Sequence, residues 1–187
     1  MLVTGAGGFV GRHLCHAAGK ERATEWVPYP KGRNLSADGA LDSFGTDIDA
    51  VVHLAGKTFV PDSWKSPEIF YRVNVLSALN VAEFCRRAKV KKCVNVNTYV
   101  YGPPQYLPVD EKHPISLPSP YHRGKKCAED LLFDVLDSTP TKVISFRVFN
   151  LYGPGQAGHF LLPHIMRQAV KSNKVQEIGR ASCRERV

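Results

Sequence analysis

The chain has 187 residues and a formal net charge of +8; 43% of its residues are hydrophobic and 22% are charged. This composition is ordinary for a globular domain and excludes the disordered and collagen-like classes. The longest apolar runs, such as Phe160 to Met166, are shorter than the roughly 20 residues of a membrane-spanning helix. Because no charged-then-apolar signal segment precedes them either, we expect no membrane contact and a cytoplasmic location.

The basic residues are spread over several segments and do not alternate with an aromatic stacking motif. We therefore expect no nucleic-acid partner, since an anionic small ligand explains the charge equally well. The cysteines lack the C-x-x-C spacing of a zinc or redox site, so we expect reduced thiols, most of them in the core, and no metal site. They are Cys15, Cys85, Cys93, Cys127 and Cys183.

Short apolar runs alternate with longer helical patterns along the chain, which predicts an α/β fold with a parallel sheet. The predicted strands are Met1 to Thr4, Glu25 to Tyr29, Asp49 to Ala55, Lys92 to Asn97 and Lys142 to Val148. The predicted helices lie near Val10 to Ala18, Pro67 to Ala88, Tyr121 to Leu136 and Phe160 to Val170.

Both ends of the sequence are unusual. Only four residues precede Gly5, which is short for a strand, so we expect the natural start to lie upstream. The final segment, "EIGRASCRERV" (Glu177 to Val187), has no apolar periodicity and resembles translated read-through into a short-read sequencing adapter. We expect residues 177–187 to be non-native and residues 1–176 to form the domain, with a basic solvated tail as the alternative.

The segment "TGAGGFVG" follows the first predicted strand and opens the first helix, with Gly5, Gly8 and Gly11 three residues apart. Gly5 permits a tight turn, Gly8 lets the backbone approach a pyrophosphate, and Gly11 allows close packing of helix on strand. The amide groups of the first helical turn, which includes Phe9 and Val10, then face the phosphates. The pattern predicts a dinucleotide-binding turn.

The second strand of such a fold usually supplies an acidic residue that binds the ribose of NAD. The corresponding stretch here, "VPYPKGR", has no acid and instead carries Lys31 and Arg33. Their charges would suit the 2′-phosphate of NADP, although two solvated loop cations are an equal alternative. We expect NAD or NADP as the cofactor, with a slight preference for NADP.

Six segments together resemble the extended short-chain dehydrogenase/reductase family, in its NAD(P)-dependent epimerase/dehydratase branch. They are "TGAGGFVG", "DAVVHLAG", "YRVNV", "YVYGPP", "YHRGK" and "FRVFNLYGPGQ". The resemblance implies a Rossmann-like, doubly wound parallel sheet that lacks the last strand and most of the C-terminal substrate domain. It also implies a homodimer for the intact parent protein and little activity for the 187-residue polypeptide.

The resemblance assigns Tyr121 and Lys125 to the catalytic Y-x-x-x-K pair and also counts both among the residues that bind the cofactor. Residues four apart share a helix face, so we expect the Lys125 ammonium to lower the pKa of the Tyr121 phenol from about 10. The phenol would then act as a general base on a sugar hydroxyl. Where the family has a Ser or Thr at the end of the fourth strand, this chain has Asn97 followed by Thr98; we favour Thr98 as the hydroxyl donor and keep Asn97 as the alternative.

Further site residues follow from the same resemblance. Asn34 and Leu35 correspond to positions near the adenine, and the segment with His53, Leu54, Ala55 and Gly56 is expected to line the cofactor, although His53 could equally be a core histidine. The residues expected to contact substrate are Thr58, Asn150, Phe160 and Leu161. Asn74 is expected to have a structural hydrogen-bonding role.

The resemblance implies 4-epimerisation of a nucleotide sugar through a transient 4-keto sugar, and we expect a UDP-hexose as the substrate. A keto-sugar or small-carbonyl reductase is the alternative enzyme. A dehydratase is less favoured because "NTYVYG" offers no acidic pair beside the threonine. A non-catalytic NAD(P)-binding protein is the alternative of another class.

Overall fold

The computed structural model describes residues 1–19 and 24–172. Its centre is a five-stranded sheet in which all neighbouring strands are parallel and the order is β2-β1-β3-β4-β5. The strands are β1 (Leu2–Thr4), β2 (Val27–Pro28), β3 (Ala50–His53), β4 (Lys92–Thr98) and β5 (Lys142–Val148). The helices are α1 (Phe9–Ala18), α2 (Val60–Lys65), α3 (Pro67–Arg87), α4 (Pro120–Leu136) and α5 (Leu161–Ser172).

These elements confirm the predicted α/β class and its parallel sheet. The largest differences among the strands are at β2, which keeps two of the five predicted residues, and at β3, which keeps four of seven. Pro28 has no amide hydrogen, and pairing with β1 continues only through the Tyr29 amide, which donates to the carbonyl of Val3 at 2.8 Å. The helix α2 was not predicted, because six residues are too few to show a helical period.

The strand order makes the sheet doubly wound. From β1 the chain crosses through α1 to β2 on one side, whereas the later crossovers lead from β3 through β4 to β5 on the other side. Right-handed crossovers in opposite directions place their helices on opposite faces of the sheet. The carboxyl ends of β1 and β3 therefore flank a crevice at the point where the direction reverses, which is where such sheets bind ligands.

The hydrophobic core fills the space between the sheet and the helices α3 and α4. Leu2, Val51, Phe84 and Leu132 are fully or almost fully buried in it. Cys85 and Cys93 are also buried, and a hydrogen bond between the two thiols, together with burial, raises the pKa of Cys85 above its ordinary value. Cys183 lies outside the described residues.

The edge strand β5 leaves apolar side chains exposed. Ile144 and Phe146 point to the same face of the strand, and their exposed fractions are 43% and 54%. A groove of about 490 Å³ runs along this region, between β5, the exposed ring of Phe133 on α4, and the loop at Asp110. The groove does not include Tyr121 or the glycine turn.

The chain divides into two compact units, Met1–Phe149 and Asn150–Val187. The described part of the second unit contains a turn, in which the Gln156 side chain donates to the carbonyl of Leu151 at 2.9 Å, and the helix α5. The predicted non-native segment 177–187 lies outside the described residues. No helix among residues 1–19 and 24–172 combines the length and hydropathy needed to cross a bilayer.

Candidate active site

The glycine turn between β1 and α1 contains two positions, Gly5 and Gly11, that admit no side chain. Gly5 has φ +70°, and a Cβ there would lie 2.7 Å from the Ala55 amide nitrogen. A Cβ on Gly11 would lie 2.2 Å from the carbonyl oxygen of Gly5, while the Gly8 amide donates to that oxygen at 2.9 Å. The turn thus brings its backbone against the segment after β3, and the close packing expected at Gly11 is present between the start of α1 and the turn itself.

The first turn of α1 is open to an anion. Its N-cap is Gly8, which offers no side-chain acceptor to the amide groups at the start of the helix, where Phe9 and Val10 lie. The first amides of a helix have no partner within it and carry partial positive charge. The stem of Lys31 lies beside this turn, since its Cδ would be 3.7 Å from a Cβ on Gly7.

The other cofactor-binding residues predicted after the second strand interact with residues near them in the sequence. Arg33 lies over the ring of Tyr29, at 5.9 Å from its centroid, and donates to the Ser43 hydroxyl at 3.2 Å. The Asn34 side-chain oxygen accepts hydrogen bonds from the amide and the hydroxyl of Ser36. Leu35 is buried in the hydrophobic core, and its expected contact with the cofactor stays a prediction.

The segment after β3 is fixed beside the glycine turn by hydrogen bonds. The Leu54 amide donates to the carbonyl of Thr4 at 3.2 Å, and the Ala55 amide donates to the Thr4 hydroxyl at 3.3 Å. The Asn74 side chain accepts from the Lys57 amide at 2.8 Å and donates to its carbonyl at 3.3 Å. Asn74 therefore has the structural hydrogen bonds that were expected of it. Gly56 and Thr58 are exposed on this segment.

His53 at the end of β3 is a buried, neutral histidine. Its Nδ1 lies 2.8 Å from the hydroxyl of Thr4, and its side chain is 1% exposed. Burial lowers the pKa of His53 from 6.5 to about 3, and the nearby charge of Lys125 contributes to that shift. His53 therefore packs at the floor of the crevice without carrying a charge at neutral pH.

The depressed pKa of His53 predicts a loss of stability in acid. Between pH 6.5 and about 3 the unfolded chain binds a proton at this residue and the folded chain does not, so the free energy of unfolding falls by up to about 1.4 kcal/mol per pH unit. His53→Asn is expected to flatten this slope in urea titrations at several pH values, whereas His16→Asn, at an exposed histidine, is the matched control. An unchanged slope in His53→Asn would contradict the assignment.

Tyr121 and Thr98 meet above the carboxyl end of β4. The helix α4 begins at Pro120 with Ser119 as its N-cap, whose hydroxyl accepts from the His122 amide at 3.4 Å. This start directs Tyr121 toward the strand, where its hydroxyl forms a hydrogen bond with the Thr98 side chain. Tyr121 is 8% exposed, and its ring packs edge-on against Phe70.

Lys125 lies one helical turn after Tyr121, but its ammonium group is directed elsewhere. Its Nζ donates to the carbonyl of Val96 at 2.8 Å. Burial lowers the pKa of Lys125 from 10.5 to about 8, and the charge of Glu129 opposes that shift. The expected lowering of the Tyr121 pKa by Lys125 is not what the structure shows: burial raises the pKa of Tyr121 above 10, and the Thr98 hydrogen bond only partly offsets this.

Asn97 is directed away from Tyr121, into a buried polar cluster. Its Nδ2 donates to Glu129 at 2.7 Å, and its Oδ1 accepts from the Thr98 amide at 2.8 Å. Glu129 also accepts hydrogen bonds from Ser145 at 2.7 Å and from Arg147 at 2.7 Å. The structure therefore brings Thr98, and not Asn97, to the phenol of Tyr121.

The sequence reasoning missed this cluster. Its members are Asn97 on β4, Glu129 on α4, and Ser145 and Arg147 on β5. One signal was available, because Glu129 follows Lys125 by four residues and so shares its helix face. Ser145 and Arg147 are two residues apart on β5, so both point to one face of the sheet. The sequence has no local pattern that predicts contact between this face and Glu129.

Three of the residues expected to contact substrate belong to the second unit. Asn150 is exposed, Phe160 lies in the turn before α5, with its amide donating to the carbonyl of Ala157 at 3.1 Å, and Leu161 is the exposed first residue of α5. Their contacts with substrate therefore stay predictions. Among residues 1–19 and 24–172, no group of three histidine, cysteine or acidic side chains is placed to hold a metal ion.

Comparisons with known proteins find relatives that act on nucleotide sugars by their names. The chain is 33% identical over 177 residues to UDP-glucose 4-epimerase of Azospirillum brasilense, covering 84% of this chain and 51% of that protein. It is 29% identical over 192 residues to GDP-6-deoxy-D-mannose reductase of Pseudomonas aeruginosa, covering 96% of this chain and 61% of that protein. The chain thus spans about half to three-fifths of these relatives.

Solved structures show the same fold. The structure of UDP-glucose 4-epimerase from Thermus thermophilus in complex with NAD matches with a TM-score of 0.78 and 29% identity, covering 90% of this chain and 60% of that one. RMD from Pseudomonas aeruginosa in complex with NADPH matches with a TM-score of 0.79 and 28% identity, covering 92% and 63%. A family model matches residues 1–185, and the chain therefore belongs to the NAD dependent epimerase/dehydratase family.

Proposed function

We propose that the protein binds NAD or NADP in the crevice between β1 and β3 and interconverts the C4 epimers of a nucleotide sugar. The observation that carries the proposal is the placement of Tyr121, which is 8% exposed, packs against Phe70 and has the Thr98 side chain as its polar partner, at the carboxyl end of the strand next to β3. It sets a phenol and a hydroxyl toward one position, where a single substrate oxygen could contact both.

The residues of the crevice fit a dinucleotide. A Cβ on Gly5 or Gly11 would collide with backbone, so the turn offers a bare main chain to a pyrophosphate. Gly8 and the amides of Phe9 and Val10 would hold the phosphates, and Leu54, Ala55 and Gly56 would line the opposite wall. When bound, the nicotinamide supplies a reversible acceptor for a hydride.

The protein's own part in the reaction is proton transfer and orientation. The Tyr121 phenolate would accept the proton of the C4 hydroxyl while the C4 hydrogen leaves as hydride, and the Thr98 hydroxyl would hold the same oxygen as it becomes a carbonyl. Return of hydride to the opposite face of C4 and of the proton from Tyr121 gives the epimer. Lys125, with a pKa of about 8, retains its positive charge at neutral pH and holds the end of β4 through its hydrogen bond to the Val96 carbonyl.

The activity can be tested on the complete protein that carries this sequence. UDP-glucose incubated with catalytic NAD should yield UDP-galactose without net formation of NADH, as followed by chromatography and absorbance. Stoichiometric oxidation of NADPH with a keto-sugar would instead identify the reductase. Cofactor binding without turnover of any nucleotide sugar would favour the non-catalytic alternative. The homodimer stays a prediction, which sedimentation would check.

The reductase alternative has one observation in its favour. Lys31 lies beside the glycine turn, where an ammonium group could bind the 2′-phosphate of NADP. We expect Lys31→Ala to weaken NADP binding about tenfold, the equivalent of one charged hydrogen bond, and to leave NAD binding unchanged. Fluorescence titration with NADPH and NADH measures both affinities. Lys65→Ala, at an exposed lysine paired with Asp62, is the control, and equal losses for both cofactors in Lys31→Ala would contradict the preference.

A further inference from the structure

Asn97 occupies the slot in which the resembled family has a hydroxyl residue, and its amide is engaged on both sides. The side chain is 2% exposed. Its nitrogen donates to Glu129 at 2.7 Å, and its oxygen accepts the amide hydrogen of Thr98 at 2.8 Å. A side chain that joins these two partners must donate to a carboxylate and accept from an N–H at once.

Asparagine meets this requirement, and its close analogues do not. A serine is too short to replace both contacts, and an aspartate would lose the donor and set a second carboxylate against Glu129. At the end of β4 the Thr98 amide would otherwise have to find another acceptor. The amide of Asn97 thus fixes the backbone of the next residue, whose hydroxyl meets Tyr121.

Glu129 is a firm anchor for this link. Although burial alone would raise the pKa of Glu129, hydrogen bonds from Arg147, Ser145 and Asn97 lower it below the ordinary value, so the group is a carboxylate at neutral pH. It lies on α4, the helix that also carries Tyr121 and Lys125. The path from Glu129 through Asn97 to Thr98 therefore ties the strand end to the helix that carries the phenol.

We propose that Asn97 is a positioning residue, which holds Thr98 against Tyr121 through its bond to Glu129. The inference rests on the proposed function of Thr98 and Tyr121 and deepens it. It assigns the hydroxyl role to residue 98 and a purely orienting role to residue 97.

The first test compares Asn97→Ala with Asn95→Ala in the complete protein. Asn95 lies on the same strand and face, is fully buried and donates to Ser145 of the same cluster, whereas the Thr98 amide donates to Asn97. Asn97→Ala is expected to lower kcat about 100-fold, the cost of a small misplacement of a catalytic group, with KM little changed. Asn95→Ala is expected to keep kcat within about threefold of the parent, since it leaves the bond from the Thr98 amide to Asn97 in place.

The second test asks whether Asn97 acts through Thr98. In a Thr98→Ala background the hydroxyl is already absent, so adding Asn97→Ala should change kcat by less than about twofold. Independent, multiplicative losses would overturn the proposal. Asn97→Ser, which changes the packing less, should not recover turnover in the Thr98→Ala background; recovery would assign the hydroxyl role to position 97 and also overturn it.

A third readout does not depend on turnover. Because the Thr98 hydrogen bond lowers the pKa of Tyr121, Asn97→Ala and Asn97→Ser should raise that pKa, as followed by tyrosinate absorbance against a Tyr121→Phe blank. If the parent protein shows no turnover of any sugar, the proposed function fails and this titration alone decides the inference. An unshifted titration in both Asn97 variants would overturn it.

Discussion

Tyr121→Phe is expected to lower kcat by about 10² to 10⁴, the usual contribution of a positioned general base. The substitution removes only the hydroxyl and keeps the ring that packs edge-on against Phe70. The cofactor contacts proposed for the glycine turn lie on other elements, so the affinity for NAD(H) should fall by less than about tenfold, the equivalent of one hydrogen bond. Steady-state kinetics and NADH fluorescence titration measure the two effects separately.

The control for this variant is Tyr71→Phe, which removes a tyrosine hydroxyl from α3, where the side chain is partly exposed. It should retain the parent kcat. If Tyr121→Phe keeps more than about a tenth of the parent kcat, Tyr121 is not the general base. That result would also contradict the proposed mechanism.

Glu129→Ala is expected to cost about 3 kcal/mol of unfolding free energy, in the range measured when one partner of a buried ion pair is removed. The carboxylate is 2% exposed and accepts from Asn97, Ser145 and Arg147, so its loss leaves three donors without their acceptor. Urea denaturation followed by circular dichroism at pH 7 measures the change.

The matched control is Glu83→Ala, which removes an exposed carboxylate that pairs with Arg86 three residues along α3. Exposed pairs of this kind contribute at most about 1 kcal/mol. The pKa of Glu129 is lowered from 4.5 in the folded protein, so its stabilisation is present above that pH and is lost as the pH falls through the folded pKa. The unfolding free energies of the parent and of Glu129→Ala should therefore converge as the pH is lowered. A cost for Glu129→Ala at pH 7 equal to that of Glu83→Ala would contradict the assignment.

The architecture could be predicted because its signals are local. The strand β5 has the predicted bounds, and α3 and α4 differ from theirs by one residue each, since apolar periodicity and the prolines at their starts act within one element. The glycine turn was also predictable, because its glycine spacing is local, and a Cβ at Gly5 or Gly11 is excluded by backbone of the segment after β3 or of the turn itself.

The orientation of the site residues could not be predicted, because it depends on partners distant in sequence. The choice between Asn97 and Thr98 is set by Glu129, 32 residues after Asn97, and by the packing of α4 on β4. The pKa of Tyr121 was expected from the spacing of Lys125 alone, whereas burial is the larger effect in the structure. Burial and side-chain direction are properties of the packed chain and not of a spacing.

The exposed edge strand β5 has a consequence for the protein in solution. A free strand edge offers its N–H and C=O groups to any other extended chain, and charged or short edges usually prevent this. Here Ile144 and Phe146 add apolar contact area to that edge, and Lys142 at its start supplies a positive charge. Unless another segment pairs with β5, self-association by edge-to-edge strand pairing will increase with protein concentration. The concentration at which self-association begins therefore indicates whether another segment covers that edge.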